Sequence, residues 1–377
     1  MNRRSFRTTH VLVTVLLMLA ALTPPGYSAP AHTLNGPGGQ RDIDIATINL
    51  YTGADFGAIA TLDPGDPLFG PKLLAAIAEI HGRIVASNFP KRAEALAAEI
   101  VERGPDLIAL QEVTLLRRQS PGDFVVGGMI PATDVELDYL AILLGALERH
   151  GGHYAVVSLV NDIDVEVPLA TSFTTFDDVR LTDRDVILAR TDLPPGFLRV
   201  SNPLGANYAA AVPLPIGVDV ARGWCSIDVW ERGRQFRLIN THLEGALPAP
   251  LPNIQGLQAA ELLLVPAATA LPVILAGDFN SDANGLYSPG TYALLVGAGG
   301  FSDAWRAVHP GDPGLTWGHD EFLSDPFTPF TLRIDLVLYR GRIFSATDAE
   351  VVDPVIDGYP PLWFSDHAAL FSGLAVH

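Results

Sequence analysis

A single cysteine, two lysines and no apolar run of bilayer length set the first limits on this chain of 377 residues. One cysteine cannot form an intrachain disulfide and cannot build a cysteine-rich structural zinc site. In Trp224-Cys225-Ser226-Ile227-Asp228-Val229, period-two alternation puts Cys225 on one strand face with Ile227 and Val229, so it reads as a core residue. Basic charge is scarce: 24 Lys plus Arg stand against 42 Asp plus Glu, for a formal charge of −18. That balance argues against a broad cationic face that holds nucleic acid by neutralising phosphates, while leaving room for a small local patch. With Lys72 and Lys91 the only lysines, nearly every cation is an arginine. At 48% hydrophobic residues the chain has enough apolar surface to fold, which excludes a disordered polymer.

The first residues read as an address. Arg3, Arg4 and Arg7 precede an uncharged run from Val11 to Leu22, and Ala29-Pro30-Ala31 supplies a small-residue cleavage pattern. Twelve residues fall short of the roughly 20 that span a bilayer. Residues 1–31 are therefore expected to be a removable export signal, of the Sec type or, given Asn2-Arg3-Arg4-Ser5-Phe6, the twin-arginine type. Their loss removes three arginines and no acid, taking the formal charge from −18 to −21.

Residues 32–377 alternate between strand and helix patterns without a repeat or a linker-like stretch, which points to one α/β domain with insertions near 55–88 and 119–182. Strands are expected at 43–50, 107–110, 153–160, 186–190, 235–240, 273–276, 332–339 and 368–374, and helices at 90–103 and 253–265. Thr133 and Glu136 read as a capping box opening a helix that runs to about His150. Polar residues gather where these strands end: Asn49, Gln111-Glu112, Asn240-Thr241-His242-Leu243-Glu244, Gly277-Asp278-Phe279-Asn280, Arg333-Ile334-Asp335 and Ser365-Asp366-His367. Strand ends of a layered α/β protein converge at one rim, so these groups are expected to meet in one cleft.

Taken together and in order, the QE, GDFN and SDH segments resemble the endonuclease/exonuclease/phosphatase superfamily of metal-dependent phosphoesterases, over Ile43 to about Leu374. The resemblance implies a four-layer sandwich of two packed mixed β-sheets flanked by helices. It implies Glu112 as the principal metal acid, Asn49 beside metal and phosphate, and Asp366 as a further acid at the metal. It also implies Asp278 and Asn280 orienting water and phosphoryl oxygen, His242 as the first catalytic histidine, and Asp335 orienting the second, His367. Oxygen donors suit a hard cation such as Mg²⁺ or Mn²⁺. His367 held by Asp335, or alternatively Asp278, is the candidate base for the water, and His242 the candidate acid for the leaving group. Glu244, two residues beyond His242, is a candidate to tune it. Arg184 in Thr182-Asp183-Arg184-Asp185 could clamp a phosphate or pair with its flanking aspartates. Trp305 and Trp317 read as scaffold. Trp363-Phe364 and the Pro-rich stretch from Ala246 to Pro252 could form an apolar rim. The expected activity is hydrolysis of a phosphodiester or phosphomonoester in nucleic acid, a phospholipid headgroup or a small molecule, with no transmembrane segment in the mature chain and no obligate protein partner.

Overall fold

In Ile43-Asp44-Ile45-Ala46-Thr47-Ile48-Asn49 successive side chains alternate between two sides, and both sides are apolar, so the strand must be covered on each face. The computed structural model of the protein, which describes residues 42–231, 233–246, 253–326, 330–356, 358 and 360–377, shows how. The export segment and residues 247–252 of the Pro-rich stretch lie outside the described residues.

Strand β1 (Ile43–Asn49) leads through α1 (Gly57–Ala60), α2 (Phe69–Ala86) and α3 (Phe89–Arg103) to β2 (Leu107–Gln111), β3 (Leu115–Gln119) and β4 (Asp134–Asp138). Helix α4 (Tyr139–Arg149) precedes a long hairpin, β5 (Tyr154–Ala170) and β6 (Phe176–Arg190). Then come β7 (Leu198–Asn207), the short pair β8 (Val212–Pro213) and β9 (Asp219–Val220), β10 (Gly223–Glu231), β11 (Arg234–His242), α5 (Ile254–Leu264) and β12 (Val273–Asp278). The chain closes with α6 (Gly290–Val296), β13 (Ser302–Asp303), α7 (Ala304–Val308), β14 (Asp335–Arg340), β15 (Phe344–Val352), the short pair β16 (Val355–Ile356) and β17 (Leu362–Trp363), and β18 (Ala369–Val376). One sheet runs β15-β18-β1-β2-β6-β3-β4, with β5 added on β6; the other runs β13-β14-β12-β11-β10-β7. Both are mixed, because β1–β2 and β11–β12 are parallel and their other pairings antiparallel.

Alternation sorts the side chains into layers. Ile43, Ile45, Leu107 and Ala109 of the first sheet meet Leu238, Ile274, Ala276 and Val337 of the second in the central core, with Cys225 and Ile227 beside them. The opposite face of the first sheet, Ala46, Ile48, Ile108 and Leu110, is covered by Phe89, Leu96 and Ile100 of α3 and Leu143 and Leu147 of α4. The outer face of the second, Ile239, Val273, Leu275 and Leu338, is covered by Ala259 and Leu262 of α5 and Leu295 of α6. Each fully buried aliphatic side chain contributes about 1.5–3 kcal/mol, so these three contacts dominate the stability of the α/β/β/α sandwich.

One polar residue crosses the central core. Asn240 of β11 donates from Nδ2 to the carbonyls of Leu110 (2.9 Å) and Val186 (3.0 Å) and accepts from Gln111 Nε2 (2.7 Å), so it ties the second sheet to β2 and β6 of the first.

Two local expectations need correction. Residues 134–138 are extended and pair with β3, and α4 opens at Tyr139 with Asp138 accepting from the amides of Leu140 and Ala141. Glu136 is therefore no capping-box partner and lies 3.0 Å from His81 Nε2. Strand β6 begins at Phe176, ten residues before the expected Val186, because it pairs in turn with β3, β2 and β5.

Replacing Asn240 with Leu should preserve the apolar volume while leaving the Gln111 amide and two carbonyls without their partner. The expected loss is about 2–4 kcal/mol, on the scale of a few unsatisfied buried polar groups, read as a lower urea midpoint at unchanged slope. A variant as stable as the parent would show that the sheets need no polar tie.

Candidate active site

The ladder register brings the strand-end residues together. β1 and β2 run parallel with Asn49 beside Gln111, so Glu112 emerges just past the end of that pair. In the second sheet His242 lies beside Asp278, and Asp278 beside Asp335, in one row. This close approach depends on Gly277: a Cβ there would sit 2.0 Å from the carbonyl oxygen of Thr241. His367 comes from the segment just before β18, which pairs with β1. Tyr51, Glu112 and Asn280 occupy the left-handed region, with φ of 54°, 54° and 49°, so sequence-local strain collects at this rim.

Asn49 is the hinge between the two sheets' contributions. Its Nδ2 donates to Glu112 Oε1 (3.1 Å) and Asp278 Oδ2 (3.2 Å), while its Oδ1 accepts from the Tyr51 amide (2.9 Å). The other carboxylate oxygen of Glu112 accepts from the Thr52 amide (2.7 Å). Asp278 also accepts from the Asn280 amide (2.8 Å), and Asn280 Nδ2 is anchored on the Leu243 carbonyl (2.9 Å). His367 Nδ1 lies 2.9 Å from Asp335 Oδ2, and its Nε2 faces Asp278 Oδ2 at 3.8 Å and Asp366 Oδ1 at 3.9 Å. Trp317 Nε1 donates to Asp366 Oδ2 (3.2 Å), so this tryptophan positions a site acid, whereas Trp305 donates to the Asp312 carbonyl within the scaffold.

Arg92 braces the rim from below. It is fully buried with no carboxylate in ion-pair distance among the described residues, and its guanidinium donates to the carbonyls of Leu50 and Phe364 (both 2.7 Å), Tyr51 (3.0 Å) and Ser87 (3.0 Å). It thereby joins the turn after Asn49 to the turn that carries Ser365, Asp366 and His367, while Ser365 Oγ donates to the Asn49 carbonyl (2.8 Å).

The two histidines are held in opposite charge states. Burial, then Arg222 and His367, push His242 well below the ordinary histidine value. Arg222 Nη1 stands 3.1 Å from His242 Nδ1, and a guanidinium can only donate, so Nδ1 carries a lone pair; Nε2 stands 3.3 Å from Asn280 Nδ2 and 3.4 Å from Asp278 Oδ2. Burial also acts to lower His367, but Asp335, Asp366 and Asp278 more than offset it and hold the imidazolium well above its usual range. Burial, with Asp335 and Glu112 adding to it, pushes the Asp278 carboxyl up to about 7, and burial with Glu112 raises Asp366. This crowd of oxygen donors and raised acids fits a hard divalent cation, which would relieve the repulsion.

Arg184 does not reach the cleft. Because β6 is already regular at Thr182, alternation turns Arg184 away, and its side chain donates to the Val113 carbonyl (2.7 Å), the Thr114 carbonyl (3.3 Å) and Asp138 Oδ1 (2.6 Å). It pairs with neither flanking aspartate and is a structural bracket on the turn after β2, not a phosphate clamp. Asp183 faces the site instead, raised to about 7 by burial and Glu112. Sequence reasoning passed over Arg222, the cation at the site, whose Nε and Nη1 face Glu244 Oε2 (3.4 Å) and Asp183 Oδ2 (3.7 Å). Its only signal was its place one residue before a strand. Glu244 therefore acts on His242 through Arg222, since β11 ends at His242. The apolar rim does not form from Trp363 and Phe364: Phe364 is in the core under α3, and Trp363 stacks on His319 at 4.2 Å.

The profile of the Endonuclease/Exonuclease/phosphatase family matches residues 80–367. No curated protein matches the sequence significantly. Among solved structures, the chain is similar to an endonuclease/exonuclease/phosphatase family protein from Leptotrichia buccalis C-1013-b, at 16% identity and TM-score 0.54 over 88% of this chain and 99% of that one. It is similar to the mannosyl-6-phosphatase of Bacteroides thetaiotaomicron VPI-5482, at 16% identity and TM-score 0.53 over 89% and 100%. D. rerio TDP2 complexed with a single-strand DNA product aligns at 15% identity and TM-score 0.50 over 89% and 99%. A family profile spanning most of the chain, on a sandwich whose strand ends gather its acids and histidines, shows that the chain belongs to the Endonuclease/Exonuclease/phosphatase family of metal-dependent phosphoesterase hydrolases.

Proposed function

We propose that this chain is an exported hydrolase of phosphodiester or phosphomonoester bonds that works with Mg²⁺ or Mn²⁺. The observation that carries the reading is the convergence of Asn49, Glu112, His242, Asp278, Asn280, Asp335, Asp366 and His367 on one rim, with one neutral and one protonated histidine on either side of Asp278. Glu112, with Asn49 and Asp366, would hold the cation, which when bound supplies positive charge to the phosphoryl oxygens.

The charge states assign the remaining roles. A base must be able to take a proton near neutral pH, and Asp278, raised to about 7 and aimed by Asn49 and the Asn280 amide, meets that need. His367 is already protonated, so it faces the substrate as a cation and proton donor, with Asp335 fixing its ring. Asp278 is therefore the base on this reading, in preference to His367. His242, held below the ordinary histidine value and 3.4 Å from Asp278 Oδ2, is read as orienting Asp278 and the bound oxygen, with His367 supplying the leaving-group proton.

The acidic balance and the packing of Trp363 and Phe364 into the fold favour a substrate recognised through its phosphoryl group over a long polyanion or a lipid surface. The likeness to a phosphatase and to a DNA-bound protein rests on about 15% identity and carries the fold alone. A panel of sugar phosphates, small phosphodiesters, sphingomyelin and plasmid DNA, run on purified protein, tests the class. Turnover confined to plasmid would overturn this preference. Residues 1–31 would direct export, checked by fractionating cells that express the whole chain and a form lacking them.

Activity should vanish in EDTA and return with Mg²⁺ or Mn²⁺, and Glu112→Gln should raise the cation concentration needed for half-activity at least tenfold. Full turnover in chelator would remove the cation from the reading.

Replacing Asp335 with Asn or His367 with Ala should lower turnover by about 10²–10⁴-fold, and the double variant should be little worse than the poorer single one, because the pair acts as a unit. Multiplicative losses would separate the two residues.

The pH profile gives the sign of the His367 charge. A folded-state pKa raised above the ordinary 6.5 means that the Asp335–His367 interaction contributes stability fully below about pH 6.5 and loses it as pH rises through the raised value. Turnover and melting temperature should both fall along an alkaline limb that is absent in His367→Gln. An acidic limb that disappears in the same variant would make His367 the base.

A further inference from the structure

Two hairpin tips at one end of the first sheet leave their apolar side chains in water. In the β3–β4 connection Phe124, Val125, Val126, Met129 and Ile130 are all between 47% and 93% exposed, and Phe173, at the turn of the β5–β6 hairpin, is fully exposed. From Phe124 to Thr133 no residue carries a charge. Clustered apolar side chains left in water mark a contact site. The two tips are also joined. The Gly122 amide donates to the Phe176 carbonyl (2.9 Å), and Asp178 Oδ2 accepts from the amides of Asp123 (2.6 Å) and Phe124 (3.0 Å). That approach requires a glycine, since a Cβ at Gly122 would stand 2.6 Å from the Asp177 carbonyl carbon. Behind the tips Leu116, Leu169, Val179 and Leu181 pack with Ile77 and Ile80 of α2, so the exposed residues are held out by a built scaffold.

This arm lies on the catalytic side of the sheet. β6 pairs with β2 from Val186 to Ala189, and its earlier residues run on past the end of β2, where Glu112 emerges, to pair with β3. Phe176 is seven residues before Asp183, so at about 3.3 Å per strand residue the tips stand on the order of 20 Å beyond the rim. The arm's arginines are paired with its own acids, Arg117 and Arg180 with Asp164 and Arg118 with Asp177. Asp123 and Asp134 flank the uncharged run, on a chain of formal charge −18. A second copy of the chain would bring these acids face to face, and an anionic membrane would repel them. A zwitterionic bilayer offers apolar depth without a net charge to oppose.

We propose that the paired tips insert into the interface of a bilayer of zwitterionic phospholipid. Phe124, Val126, Met129, Ile130 and Phe173 enter the boundary between headgroups and acyl chains, where binding strength grows with the apolar area buried. The bilayer is a docking surface and not the substrate. Docking holds the rim about an arm's length from the lipid, among phosphate esters displayed or released there. No residue of the rim takes part, so the docking stands or falls separately from the reaction assigned to it.

The test is co-sedimentation of the whole chain with phosphatidylcholine vesicles, with and without added phosphatidylglycerol. The parent should partition onto phosphatidylcholine, and the Val126→Ser/Met129→Ser/Ile130→Ser triple variant should bind at least tenfold more weakly at an unchanged melting temperature. Added phosphatidylglycerol should weaken the parent's binding. If the triple variant melts lower, Phe173→Trp, which keeps the tip apolar, decides: lipids brominated in their acyl chains should quench its emission beyond that of the parent. Hydrolysis plays no part in either readout, so failure here and failure of the rim chemistry are told apart. A parent that stays in the supernatant would overturn the proposal. So would a triple variant that binds as well as the parent, since another segment, such as Val11 to Leu22, would then be the anchor. A parent that is a dimer without lipid, and a monomer as the triple variant, would overturn it in favour of a second copy on the tips.

Discussion

The relative placement of the two sheets rests on a side-chain amide. Hydrophobic contact between the inner faces is strong but directionless, and it would tolerate a slide of the sheets past one another. Asn240 does not tolerate it, because its three hydrogen bonds reach β2 and β6 at fixed positions just below the rim. The site needs that constraint: Asn49 and Glu112 come from the first sheet and His242, Asp278 and Asp335 from the second, and the bonds among them are about 3 Å long. A displacement of one ångström would break the Asn49–Asp278 contact. Arg92 performs the corresponding task for the loops, holding four carbonyls of three segments around one guanidinium.

Above that frame, the site is organised by a surplus of negative charge. Acids that would repel one another in an empty rim are arranged so that each either has a donor aimed at it or stands where a cation would go. Glu112 is fixed by an amide and a backbone N–H, Asp335 by an imidazole, Asp366 by an indole N–H. The result is a set of electrostatic partners whose protonation is decided by neighbours more than by their own chemistry, as the opposite displacement of His242 and His367 illustrates.

The strand ends and their order were legible in the sequence because short apolar runs bounded by polar residues mark a buried strand and its exit, and six such exits in one chain have few arrangements. Helices at 90–103 and 253–265 were legible for the same reason, since their periodicity is clean and their ends carry Pro, Gly or Asn. Strand β6 was not. Its first two-thirds, Phe176 to Asp185, is full of aspartate and arginine, which reads as loop, yet it is a strand because its backbone pairs with β3 and β5 and Asp177 and Arg180 find partners there in Arg118 and Asp164. That single misjudged element explains why Arg184 was assigned to the substrate and why Asp183 was missed. Arg222 was hidden differently: its importance lies in three partners that are separated from it by 20 to 39 residues, and no local pattern announces them.

The pairing of β18 with β1 has a consequence in time. The sheet neighbour of the first strand is the last one, in register from Ile43 with Leu374 to Thr47 with Leu370. His367 and Asp366 enter on that closing segment, so a growing chain carries Glu112, His242 and Asp278 long before it carries the two residues that complete the rim. Glu112, His242 and Asp278 alone therefore do not make the rim, which is complete only once the segment leading into β18 has joined β1.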